Sequence, residues 1–341
     1  MGRRVLFFVL SLFSLSLFLT GCGDTAENKE PEKKQKLLIY TSMKDSLIGG
    51  IVDGFKREHP DIEVEYKTAG AGKLMKQIAE EKRDGKILAD IIWTSEVPDF
   101  YQMKEEGILA KYKPQAFKEI LNPFDDYDDF FTAARLGTLG VVINTDRVKT
   151  PPVAWEDMAA GEVYENAFGL ADPSKSGTSF MSIALLKKQF GWGYIERLHK
   201  NGAVKCEGSS QVIEDTASGK LAACIGVDYV VADQIDKGAH IAMVYPKEMV
   251  VVPSPIAIFK TSDNMDAAKA FVEYMLSKEA QQKIADVGTI PVRNDVKIPE
   301  KYRLPSPEDA MKMGIKVDYL DTLKHKDEIN KKFAELFDNN D

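Results

Sequence analysis

Apolar and polar positions alternate along this chain with two periods, one of strands and one of helices, and the two take turns. Leu37, Leu38, Ile39 and Tyr40 form a short apolar run bounded by polar residues, which reads as a strand. Leu47, Ile48, Ile51, Val52 and Phe55 then recur at three- and four-residue spacing, the mark of one buried helix face. Ser42-Met43-Lys44-Asp45 ahead of them resembles a capping box, with Asp in place of the usual Glu. A strand at 62–66, a helix over 73–83 and a strand at 90–93 follow, and the alternation continues to Val287. This order predicts an α/β fold of mixed, mostly parallel sheets flanked by helices. Ligands of such sheets bind outside the carboxyl ends of the strands.

Those strand ends share a chemistry. Tyr40 leads into Thr41 and Ser42; Trp93 leads into Thr94 and Ser95; Cys206 leads, through Glu207 and Gly208, into Ser209; Val227 leads into Asp228 and Tyr229. At the fifth, the apolar Ala167, Phe168 and Leu170 precede Asp172-Pro173-Ser174-Lys175-Ser176-Gly177-Thr178-Ser179, after which Met181, Ile183, Ala184 and Leu185 open a helix. The first N–H groups of a helix lack intrahelical partners and carry the positive end of its dipole, so this hydroxyl-rich turn is a candidate anion seat. Capping of the helix by Ser176 or Thr178 is the simpler reading of the same residues. One such end is a cap; five suggest a shared polar site. There is no GxSxG elbow, no HExxH, no phosphate loop ending in Gly-Lys-Ser/Thr and no dinucleotide GxGxxG, so the clusters suit holding a solute, and neither an enzyme nor a cofactor is expected.

The N-terminus sets the compartment. Arg3 and Arg4 precede an apolar stretch from Val5 to Leu19 that is too short to span a bilayer, which reads as a secretory signal. Leu19-Thr20-Gly21-Cys22 resembles a bacterial lipobox, which implies cleavage after residue 21 and a lipid on Cys22 that ties the chain to a membrane. Residues 22–35 carry no large apolar side chain after Cys22 and read as a flexible tether. Removing residues 1–21 takes away two arginines and no acids, so the net charge moves from -8 to -10. An acidic chain outside the cytoplasm is a poor nucleic-acid binder. Cys206 and Cys224 are an even pair in an oxidising compartment, which invites a disulfide, while their apolar surroundings equally suit buried thiols. The four histidines show no ligand-like spacing with them, so no metal site is expected there. About 305 residues beyond the tether exceed what one core usually organises, so two domains are expected.

Leu38-Ile39-Tyr40-Thr41-Ser42, Ala89-Asp90-Ile91-Ile92-Trp93, Leu170-Ala171-Asp172-Pro173 with Ser176-Gly177-Thr178, and Gly288-Thr289-Ile290-Pro291-Val292 carry a family resemblance. The helix Ala267–Ser277 followed by Lys278-Glu279-Ala280-Gln281 adds to it. From Leu37 to Asn294 the chain resembles the solute-binding lipoproteins of ABC importers, in the group of ferric-ion, thiamine, phosphonate and hexose-phosphate binders. The resemblance implies the two-lobed periplasmic-binding-protein type II fold with two hinge crossings, here placed near Leu136–Leu139 and Val251–Pro255. Lobe one would be residues 36–137 plus 254–341, and lobe two 138–253. It also implies a monomer that closes on its solute and docks on a membrane permease, with Ser176-Gly177-Thr178 holding an anion.

The family's iron proteins commonly present two adjacent tyrosines. Here the dipeptide is Tyr229-Val230, which offers one phenolate. Asp228 suits sugar hydroxyls or a ligand amine, and Trp93 suits stacking on a sugar face; each has a structural alternative, as a cap or as core. The expected ligand is therefore a phosphorylated small molecule, a hexose phosphate or an aminoalkylphosphonate. It would be held by Thr41, Ser42, Trp93, Thr94, Ser95, Ser174, Ser176, Gly177, Thr178, Ser209, Asp228 and Tyr229. The alternatives are ferric iron on Tyr229 with a synergistic anion, and a surface adhesin.

Overall fold

The computed structural model describes residues 34–124 and 128–338. The signal at 1–21, the lipid site Cys22 and all but the end of the tether lie outside the described residues. The first half runs β1 (Gln35–Thr41), α1 (Asp45–Glu58), β2 (Ile62–Thr68), α2 (Ala71–Arg83), β3 (Ile91–Trp93), α3 (Val97–Glu105) and β4 (Thr132–Asn144). Then come β5 (Phe168–Ala171), α4 (Gly177–Phe190), α5 (Trp192–Lys200), β6 (Val204–Cys206), α6 (Ser209–Ala217), β7 (Ala223–Val227) and α7 (Asp228–Asp236). The chain closes with β8 (Ile241–Val244), β9 (Val250–Ile258), α8 (Met265–Leu276), α9 (Lys278–Asp286), α10 (Pro307–Met313), α11 (Tyr319–Lys324) and α12 (Lys326–Asp338).

The strands pair in the order β2-β1-β3-β9-β4-β7-β5-β6, with β8 on β4. Pairing is parallel in the β2-β1-β3 group and in the β7-β5-β6 group, and antiparallel where the long β4 and β9 run side by side from Thr132↔Ile256 to Leu139↔Val250. The two crossings expected from sequence fall inside these strands. Every residue of β4 and β9 is buried, as strands covered on both faces must be, whereas the edge strand β2 alternates buried and exposed positions at its start. Period two also divides the core: Ile39, Ile91 and Trp93 join one apolar cluster, Tyr40 and Ile92 the other.

The apolar helix faces are buried as the spacing predicts; in α1, Leu47, Ile48, Ile51, Val52 and Phe55 all point inward. The capping box does not form. The helix starts only at Asp45, so Lys44 and not Ser42 is the N-cap of α1 and no side-chain cap bond forms; Thr41 Oγ1 accepts the Met43 N–H at 3.1 Å just ahead of it. No helix among the described residues is long and apolar enough to cross a membrane.

The disulfide is also absent: Cys206 and Cys224 are free, buried thiols. β5 lies between them, with Ala171 opposite Cys206 and Gly169 opposite Cys224. Two strand spacings of roughly 4.8 Å exceed the Cα separation that a disulfide bridges.

Candidate ligand-binding cleft

A cleft of about 500 Å³ lies where the carboxyl ends of β1 and β2 face the turns that leave β5, β6 and β7. Its walls are largely the first residues of helices. Lys44 and Asp45 open α1; Gly70, Ala71 and Lys73 open α2; Ser176, Gly177 and Thr178 open α4; Gly208, Ser209 and Ser210 open α6; Val227 and Tyr229 flank the start of α7. Each of these ends brings the positive pole of a helix dipole to the same space. The charged side chains agree: Lys44, Lys73, Lys175 and Arg135 line the cleft against Asp45 and Glu207 alone, although the chain as a whole carries -8. Lys175 Nζ is 2.6 Å from Glu207, and that bond raises the lysine pKa.

At the seat expected from sequence, capping and cleft lining coincide. Ser176 is the N-cap of α4, its Oγ accepting the Ser179 N–H at 3.3 Å and lying 3.0 Å from Thr178 Oγ1. Asp172 builds the turn, accepting from the Ser174 N–H and hydroxyl through Oδ1, while its carbonyl accepts the Lys175 and Ser176 N–H groups.

The floor holds a residue that the sequence reading passed over. Arg135, fully buried in β4, donates from Nη1 to Asp228 (3.2 Å) and to Thr289 Oγ1 (2.6 Å), and from Nη2 to Ser95 Oγ (3.4 Å). Its Nε has no hydrogen-bond partner among the described residues, and its guanidinium lies 4.9 Å from the centre of the Tyr229 ring. The signal was present, since Arg135 is the one charge in the otherwise apolar and small-residue run Thr132–Asn144. A buried cation needs a partner and hydrogen bonds, and Asp228 and Thr289 supply them.

Seven of the twelve expected contacts, Ser42, Ser95, Ser176, Gly177, Thr178, Ser209 and Tyr229, do line the cleft. The other five lie outside its lining. Asp228 is spent inside the protein: besides Arg135, its carboxylate accepts from the Thr138 N–H (2.9 Å), Thr289 Oγ1 (2.7 Å) and its neighbour's N–H. Trp93 has no exposure and packs in the core, so no sugar face reaches it. Thr41 Oγ1 donates to the Trp93 carbonyl, Thr94 is buried with its N–H on the Pro255 carbonyl, and the Ser174 hydroxyl is held by Asp172.

Tyr229 reaches across the cleft, its hydroxyl accepting the Lys44 N–H at 3.1 Å. Burial raises its pKa, against the pull of Arg135, so the neutral phenol is favoured. No group of three or more His, Cys, Asp or Glu among the described residues is placed to hold a metal ion.

A cleft ringed by helix starts beside two long crossing strands defines a binding protein of the periplasmic type II class. The chain belongs to the bacterial extracellular solute-binding protein family, whose pattern matches residues 40–282. It is 23% identical over 248 residues to a periplasmic protein of Salmonella paratyphi A provisionally assigned to 2-aminoethylphosphonate, an alignment covering 69% of this chain and 71% of that one. Among solved structures it resembles AfuA from Actinobacillus pleuropneumoniae, with fructose-6-phosphate bound, at TM-score 0.77 and 23% identity, over 89% of this chain and 99% of that one. Iron-bound HitA from Pseudomonas aeruginosa matches at TM-score 0.74 and 20% identity, over 88% and 99% of the two chains. The protein is thus an extracytoplasmic solute-binding component of an ABC transporter, and it is not an enzyme.

Proposed function

We propose that the cleft captures a phosphorylated small organic molecule, a hexose phosphate or an aminoalkylphosphonate, and delivers it to an ABC importer permease. The observation that carries this reading is the convergence of helix N-termini and of Lys44, Lys73, Lys175 and Arg135 on one space of about 500 Å³. That volume holds an anionic head and an organic body together, and the hydroxyls of Ser42, Ser209, Ser210 and Thr178 with the Gln211 amide can bond the body. A relative provisionally assigned to 2-aminoethylphosphonate and a structural neighbour with fructose-6-phosphate bound support the same class. Ferric iron fits less well, because Tyr229 is a single buried phenol engaged with Lys44 and adjacent to a guanidinium.

The chain would hinge at β4 and β9 between lobe one, 36–137 plus 254–341, and lobe two, 138–253. Helix α12, which this division would assign to lobe one, packs against α4 and α5. A lipid on Cys22 would hold the protein, as a monomer, beside its permease.

Thermal shift against sugar phosphates, 2-aminoethylphosphonate, thiamine and ferric salts tests the ligand. A ligand at a hundred times its Kd stabilises by about 2.7 kcal/mol. Stabilisation by ferric iron with a visible phenolate charge-transfer band, and by none of the organophosphates, overturns the reading. Thr178→Ala is the cleaner probe of the seat than Ser176→Ala, which also removes the cap of α4 at a cost of about 1 kcal/mol.

A further inference from the structure

Gly72 sits where the backbone gives no reason for glycine, and Gly70 where it gives only the mild preference of an N-cap. Gly70, the N-cap of α2, has φ -60 and ψ 146, and Gly72 in the first helical turn is not among the glycines with positive φ. Glycine within a helix costs roughly 0.5–1 kcal/mol relative to alanine, so its presence calls for another cause. The cause lies across the cleft. A Cβ on Gly72 would stand 2.6 Å from the Ser174 carbonyl oxygen, and one on Gly70 would press still closer on the Lys175 carbonyl oxygen. From the other side, a Cβ on Gly177 would stand 2.8 Å from Glu96 Cβ and 3.1 Å from Ala71 Cβ. Both carbonyls belong to the turn pinned by Asp172, so they cannot swing aside as a side-chain tip would.

We propose that Gly70 and Gly72 are positioning residues for solute capture: they let the β2–α2 corner meet the β5–α4 turn backbone to backbone, which sets how far the cleft shuts. That approach brings the start of α2 beside the start of α4, so two helix N-termini bear on one anion. A methyl at either glycine props the two walls apart and leaves each wall intact. The proposal rests on the reading of this cleft as the solute site.

Gly72→Ala tests it in the full chain, with Gly50→Ala as control, because Gly50 in α1 has nothing within 4 Å of its Cβ position. Hydrogen exchange without ligand is read in residues 42–46 and 172–178, which contain neither substitution. Exchange in both segments is expected to rise at least about threefold in Gly72→Ala and not in Gly50→Ala, with thermal midpoints unchanged or raised in both. Titration with fructose-6-phosphate and 2-aminoethylphosphonate is expected to show at least about tenfold weaker binding by Gly72→Ala alone. Wild-type exchange in both segments overturns the proposal, as does wild-type affinity in Gly72→Ala. If the wild type binds neither compound, the ligand class fails, and the exchange comparison still decides the role of the glycines.

Discussion

Replacing Lys326 by methionine should make the stability of this protein strongly dependent on pH. Lys326, at the start of α12, places its ammonium between Glu96 and Asp99 of the α3 turn, 2.5 Å from an oxygen of each. The two carboxylates are 3% and 1% exposed, so the lysine is their compensation for lost water. Burial disfavours the ammonium, but Asp99 and Glu96 outweigh it and hold the lysine pKa above its usual value. Burial raises Glu96 to about 7, with Asp99 adding to the shift and Lys326 opposing it; burial likewise raises Asp99. Because the folded pKa of Glu96 lies above its unfolded value, the stability linked to its protonation is fully present below about pH 4.5. It is lost as pH rises through about 7.

Removing the cation leaves two buried carboxylates facing each other, and breaking a buried pair in this way costs about 3–5 kcal/mol. At about 2 °C per kcal/mol for a chain of this size, the thermal midpoint of Lys326→Met at pH 8 should fall about 6–10 °C below wild type. At pH 5, below the raised pKa of Glu96, that carboxyl favours its neutral form and the deficit should be smaller. Differential scanning calorimetry at the two pH values reads both numbers. Equal deficits at pH 5 and pH 8, or none at pH 8, would refute the argument that burial of these carboxyls governs the site.

Two further expectations concern groups that the fold has hidden. Asp228→Asn should lower the melting temperature by several degrees, because buried Arg135 loses its counter-charge, and weaken all organophosphates alike; a selective change among them would restore Asp228 as a specificity residue. Cys224, pushed up to about 12 by burial, and Cys206, also raised, should alkylate slowly in the native protein and completely once it is unfolded without reductant. Mass spectrometry showing neither thiol modified after unfolding would mean that the two are bonded after all.

The sequence by itself determined the alternation, the fold class and the turn at 172–179, because these rest on local period and on helix-start chemistry. Leu47 to Phe55 spell one helix face whatever surrounds them, and Ser176 lies where α4 must begin. What each polar residue at a strand end faces was decided only by packing. Asp228 and Trp93 carry the chemistry of sugar recognition, yet one neutralises Arg135 and the other fills the core. Arg135 enters the cleft from a crossing strand about ninety residues before its partner, a separation that no local pattern spans. Gly70 and Gly72 look like ordinary loop glycines until the opposing carbonyls of Ser174 and Lys175 are in view. The chain spells out its elements locally, and the cleft exists only where five helix starts, distant in sequence, are brought to one place by two long crossing strands.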